Sequence, residues 1–131
     1  MIPMLREYLI YLSDQVHYSY KSIPPDLLAF LMKSDTDNPS RDGKQYFNRV
    51  ATSSRYRVKE LEKSPDKSLR AAANFIRSNS LMWIHTVGEI EFWFSMSNKN
   101  IFLWNMEQGK FIGSQPYRKW MGEMAGNYYG V

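Results

Sequence analysis

The stretch 81–104, LMWIHTVGEIEFWFSMSNKNIFLW, constrains the fold of this chain more than any other part of it. Apolar residues recur there with a period of two, broken at Gly88 and at Ser97-Asn98-Lys99-Asn100, and three of the four tryptophans lie within it. A period of two belongs to strands, whose successive side chains point to opposite faces. Large apolar groups therefore fall on both faces of a sheet. One face fills a core; the other must be covered by helices or offered to a partner.

The candidate strands are 81–87, 89–96, 101–106 and 110–113. Every link is short, so neighbours should run antiparallel, as a meander. A two-residue Asn98-Lys99 loop would oppose Met96 to Ile101, Phe94 to Leu103 and Trp93 to Trp104. One face then carries Ile90, Phe92, Phe94, Met96, Ile101 and Leu103, and the other Trp93, Phe102, Trp104 and Met106 beside Glu91 and Ser95. The first hairpin has two registers. A two-residue Val87-Gly88 turn sets His85 opposite Ile90, on the apolar face and away from Glu91. A three-residue Val87-Gly88-Glu89 loop sets His85 opposite Glu91, and a carboxylate–imidazole pair becomes available.

Upstream the period is helical. Leu5, Leu9, Leu12 and Val16 predict a helix over 3–18, with His17 near its end. Its internal charge pair and lack of a small-residue cleavage site argue for a helix and against a leader peptide. A short helix follows over 25–33, then a turn-rich loop, 34–43. A long helix is expected over 44–62, and another over 65–79 with Ser64 as N-cap and Pro65 at the first helical position. Pro116 opens a terminal helix, 116–125. The expected fold class is α+β in a single domain, 1–131: about four N-terminal helices (1–79), a four-stranded antiparallel meander (81–113), and a short C-terminal helix (116–125). No apolar run approaches the roughly 18 residues of a membrane span.

Charge points to a function class. The net charge is +4, yet segment 41–77 holds ten basic and four acidic residues, a local +6 that leaves −2 for the rest. Arg49, Arg55, Arg57, Lys59, Lys67, Arg70, Asn74 and Arg77 are the candidate contacts for nucleic acid or an acidic protein surface. In a winged helix-turn-helix arrangement Lys67, Arg70, Asn74 and Arg77 would face outward from a recognition helix, though the Val87-Gly88 turn is short for a wing. The Trp93, Phe102 and Trp104 face is a second candidate, for a protein partner or a second copy. In composition, cysteine-free and rich in aromatics and Met, the chain is similar to phage accessory proteins that block a host protein. A small hydrolase or nuclease using His85 and Glu91 is the third alternative. The lack of cysteine removes disulfides and thiol chemistry and fits a reducing cytoplasm. One histidine near two acids is a poor ligand set, so no metal and no cofactor are expected, and a binding protein is favoured over an enzyme.

Overall fold

The computed structural model describes residues 16–35 and 39–128. A 3-10 turn, Tyr20–Ser22, leads into α1 (Pro25–Ser34), α2 (Gly43–Glu62) and α3 (Lys67–Asn79). Strands β1 (Leu81–Val87), β2 (Ile90–Ser95), β3 (Asn100–Asn105) and β4 (Lys110–Pro116) follow, then α4 (Tyr117–Tyr128). The sheet is antiparallel in the order β1-β2-β3-β4. The fold is thus α+β, with helices first, then the meander, then a closing helix. Three helices precede the sheet among the described residues. The helix expected over 3–18 lies outside them apart from Val16, His17 and Tyr18, which are not helical.

Helix starts follow local chemistry. Pro25 occupies the first turn of α1, where its missing N–H costs nothing. The Asp42 side chain accepts from the Gln45 N–H at 2.8 Å to cap α2. Gly43, the first residue of α2, lies so close to α1 that an added Cβ would stand 2.8 Å from Leu28 Cδ2. The cap of α3 is Asp66, not Ser64. Its carboxylate accepts from the Ser68 N–H and hydroxyl at 2.8 and 2.7 Å, while Ser64 Oγ accepts from the Asp66 N–H at 3.0 Å. Ser64 and Pro65 therefore build the turn before the helix.

Helices cover both faces of the sheet. On one face, Leu27 and Leu31 of α1, Tyr46, Phe47 and Val50 of α2 and Trp120 and Met124 of α4 pack on Met82, Ile84, Phe92, Phe94 and Ile101. On the other, Val58 and Leu61 of α2 with Ala72, Ala73 and Ile76 of α3 pack on Leu81, Trp93 and Trp104. The first half of α2 thus serves one core and its second half the other. Its 20 residues span about 30 Å.

Ser54 sits where the two cores meet and is fully buried. Its hydroxyl donates to the Val50 carbonyl at 2.8 Å and accepts the Trp83 N–H at 2.8 Å. Strand β1 is a sheet edge, so α2 supplies a partner that the sheet cannot. Tyr18 adds a second clasp on the same strand by donating to the Leu81 carbonyl.

The hairpin registers differ from expectation in informative ways. The second turn has four residues, Met96 to Lys99, with Lys99 at φ +65°, so Phe94 pairs with Ile101 and Trp93 with Phe102. Ser95 Oγ accepts from the Ser97 and Asn98 N–H groups, and Lys99 Nζ donates to the Ser22 and Met96 carbonyls, which explains the longer turn. The shift is two residues, so both faces keep their membership. The first turn is Gly88-Glu89, with Gly88 at φ +59° and Val87 paired to Ile90. A bulge then interrupts β1 between Trp83 and His85.

Replacing Ser54 by Ala leaves the Trp83 N–H buried without a partner. Urea unfolding should show a loss of about 1–3 kcal/mol, whereas Thr52→Ala, on the exposed side of the same helix, should change stability by less than about 0.5 kcal/mol.

Candidate functional site

The two-residue Gly88-Glu89 turn decides the fate of His85. Val87 pairs with Ile90 and Thr86 with Glu91, so His85 pairs with Phe92 and joins the α1/α4 face; the bulge at Ile84 then returns Trp83 to the Trp93 face. The His85 ring stands 6.2 Å from Phe92 and 6.0 Å from Trp120. Burial pushes its pKa below the usual imidazole value, opposed by the Asp35 charge, so the ring is neutral at pH 7. Glu91 points to the other face and is 2% exposed. It meets Arg57 Nε at 3.4 Å and accepts from Trp93 Nε1 at 3.3 Å. Burial pushes its carboxyl up, and Arg57 pulls it back. The His85–Glu91 pair that a three-residue loop would make does not form.

The aromatic face is likewise interior. Trp93 and Trp104 are 1% and 2% exposed beneath α2 and α3. Phe102 is partly covered by Phe75, 5.4 Å away, and Phe111, 6.1 Å away. The α3 helix closes the face that was a candidate for a partner or a second copy.

Most arginines of the basic segment are engaged within the molecule. Arg49 pairs with Asp35 and donates to Ser40 Oγ at 3.1 Å. Arg55 donates to the Val16 carbonyl at 3.2 Å and lies over the Tyr18 ring. Arg57 bridges Glu60 and Glu91. Arg77 pairs with Glu62 and donates to Asn74 Oδ1 at 2.7 Å. Arg70 donates to the Ser64 carbonyl at 2.8 Å yet stays exposed, as do Lys59, Lys67 and Asn74.

A different surface emerges on α2. Gln45, Asn48, Thr52, Tyr56, Lys59 and Lys63 follow one another at intervals of three or four residues and are all exposed. They form one stripe along the helix, about 27 Å long at 1.5 Å per residue. The stripe carries no carboxylate; Glu60 lies to one side, 3.5 Å from Arg57. Tyr56 stands out from it, 67% exposed. The helical spacing of these residues was present in the sequence, but attention to charge alone passes over Asn48, Thr52 and Tyr56.

Beside that stripe is an open cleft of about 330 Å³. Leu31, Ser34 and Asp35 at the end of α1 form one wall, Tyr46, Arg49, Val50 and Ser53 of α2 a second, and Trp83 to Thr86 of β1 the third. The Arg49–Asp35 pair lies in it, as does the neutral His85 ring. Asp35 and Ser53 carried no sequence signal, because only the packing of α1, α2 and β1 brings them together. Among the described residues no three His, Asp or Glu side chains are grouped to hold a metal ion, and no helix is long and apolar enough to cross a membrane.

Replacing Arg57 by Met leaves Glu91 buried without its cation. With burial opposed only by the Trp93 N–H, the folded-state pKa rises further above the unfolded value, so the folded protein gains a proton as the pH falls through it. Denaturation should show a loss of about 3 kcal/mol at pH 8, shrinking toward pH 5.

Compared with protein-family models, with curated proteins and with solved structures, the chain gives no match.

Proposed function

We propose that this protein binds nucleic acid, and that it does so along the outer stripe of α2. The observation that carries this reading is the carboxylate-free run of Gln45, Asn48, Thr52, Tyr56, Lys59 and Lys63, exposed over five turns within a segment of charge +6. Lysines suit phosphate oxygens, while Asn and Gln suit the paired donor and acceptor of an adenine edge. Lys44 flanks the stripe at its start; Lys67 and Arg70, exposed on α3, continue it beyond Lys63. The arginines turned inward support the molecule rather than the contact, so the interface is relocated from Arg49, Arg55, Arg57 and Arg77 to lysines and amides. With Trp93 and Trp104 interior, a host-protein inhibitor would need some surface other than that aromatic face. A hydrolase would need a base other than a His85–Glu91 pair.

Fluorescence anisotropy with a labelled 12-base strand and a 12-base-pair duplex, at 50 and 200 mM salt, tests the proposal. Binding should weaken as salt rises, with a log–log slope of roughly −0.9 per phosphate contact on duplex. Lys59→Glu with Lys63→Glu should flatten that slope by roughly two contacts and lower affinity at least about tenfold. Absence of binding at low salt would sink the proposal, as would retention of full affinity by the double variant.

A further inference from the structure

Three large aromatic side chains stand out from the described surface: Tyr20, Tyr56 and Phe75, at 39%, 67% and 38% exposure. Two of them are already packed on other rings. Tyr20 meets Phe47 at 5.5 Å, and Phe75 meets Phe102 and Phe111 at 5.4 and 5.3 Å. Tyr56 has no ring contact, hydrogen bond or ion pair among the described residues. It stands within the α2 stripe, with Thr52 before it and Lys59 after it. Building on the nucleic-acid reading, we propose that the nucleic acid bound there is single-stranded, and that Tyr56 is the platform on which one of its unpaired bases stacks.

Local geometry keeps that ring open. Helical side chains lean toward the N-terminus, over the turn before their own Cα. Tyr56 therefore lies toward Thr52 and Ser53, both exposed and both too short to cover a ring. Lys59 follows one turn later, its Cβ about 5–6 Å from that of Tyr56, within reach of a phosphate next to the stacked base. Glu60, the carboxylate four residues on, is paired with Arg57 at 3.5 Å. The backbone beneath is held in place, because Val50, Ser54, Val58 and Leu61 on the inner side of α2 are all buried. A ring on a fixed helix among lysines meets both needs of a single strand: positive charge follows the phosphates, and the ring takes the face of a base.

A duplex has little use for such a ring. Its stacked pairs show only their edges, in the grooves. A strand without a complement can splay a base onto an aromatic face, whatever that base is. The ring and the lysines then contribute in separable ways. Lysines release counterions from the phosphates and make affinity depend on salt; stacking releases none.

That difference supplies the test. Labelled dT12 and a 12-base-pair duplex are titrated by fluorescence anisotropy at 50 and 200 mM salt against wild type, Tyr56→Ala and Tyr56→Phe. The Tyr56 side chain is exposed and Ala favours a helix, so circular dichroism should show each variant folded. At 200 mM salt, where phosphate attraction is weakened, wild type should bind dT12 more tightly than the duplex. Tyr56→Ala should weaken dT12 by about 5- to 150-fold, the worth of one stacked base. It should leave the duplex within about twofold and the log–log salt slope on dT12 unchanged. Tyr56→Phe, which keeps the ring and drops the hydroxyl, should hold dT12 within about twofold. Tighter binding of the duplex at 200 mM salt, unchanged dT12 affinity in Tyr56→Ala, equal losses on strand and duplex, or a loss in Tyr56→Phe as large as in Tyr56→Ala overturns the stacking proposal, while the α2 interface, read by Lys59→Glu with Lys63→Glu, stands. No binding of either nucleic acid by wild type overturns both.

Discussion

A single hydroxyl ties the helical half of this protein to its sheet. Ser54 is the small residue that lets α2 approach β1, and its Oγ takes the Trp83 N–H that the edge strand leaves unpaired. Three consequences follow from that contact. The sheet edge is closed by a helix. The two halves of α2 are fixed over the two cores, one through Val50 and Phe47 and the other through Val58 and Leu61. And the ladder is anchored where the bulge begins, so Ile84 and His85 turn to the same face. A larger side chain at position 54 would hold α2 off the strand and disturb all three.

The division of labour between arginine and lysine follows from the same packing. Arginine's planar fork serves fixed partners: half-buried Asp35 for Arg49 and Glu62 for Arg77, and fully buried Glu91 for Arg57. Each of these pins α2 or α3 to a neighbouring element. The lysines of the basic segment, compact charges on flexible stems, are exposed. Within the basic segment the exposed positive charge is carried by Arg41, Lys44, Lys59, Lys63, Lys67 and Arg70, with Asn48, Thr52 and Tyr56 between Lys44 and Lys59. Because α2 is held along its length by two cores, that stripe is rigid, and a partner would not have to order it.

Much of the fold was legible in the sequence, for reasons of period. Alternation from Leu81 onward marked four strands within a few residues, and face membership survived a wrong register in the second hairpin because a shift of two keeps parity. What failed was information that a period does not contain. The turn falls at Gly88-Glu89, where Gly88 takes the positive φ, so neither turn drawn for Gly88 places His85 opposite Phe92, and the bulge at Ile84, beside the Trp83 N–H held by Ser54, has no mark in the period. The α3 cap moved from Ser64 to Asp66 because both residues are good caps and only the turn geometry chooses. The expected contacts Arg49, Arg55, Arg57 and Arg77 were legible as charge but not as ion pairs or carbonyl contacts, since their partners come from other elements or other turns. The cleft was not legible at all: Asp35, Ser53 and Thr86 are unremarkable apart, and meet only through packing.

Both functional proposals place the contact on the outer stripe of α2, so mapping the bound surface residue by residue is the most direct test. Amide chemical-shift changes in a ¹⁵N-labelled sample titrated with dT12 should concentrate at Asn48, Thr52, Tyr56, Lys59 and Lys63. Shifts centred instead on β4 and α4, with α2 unperturbed, would contradict the proposed interface.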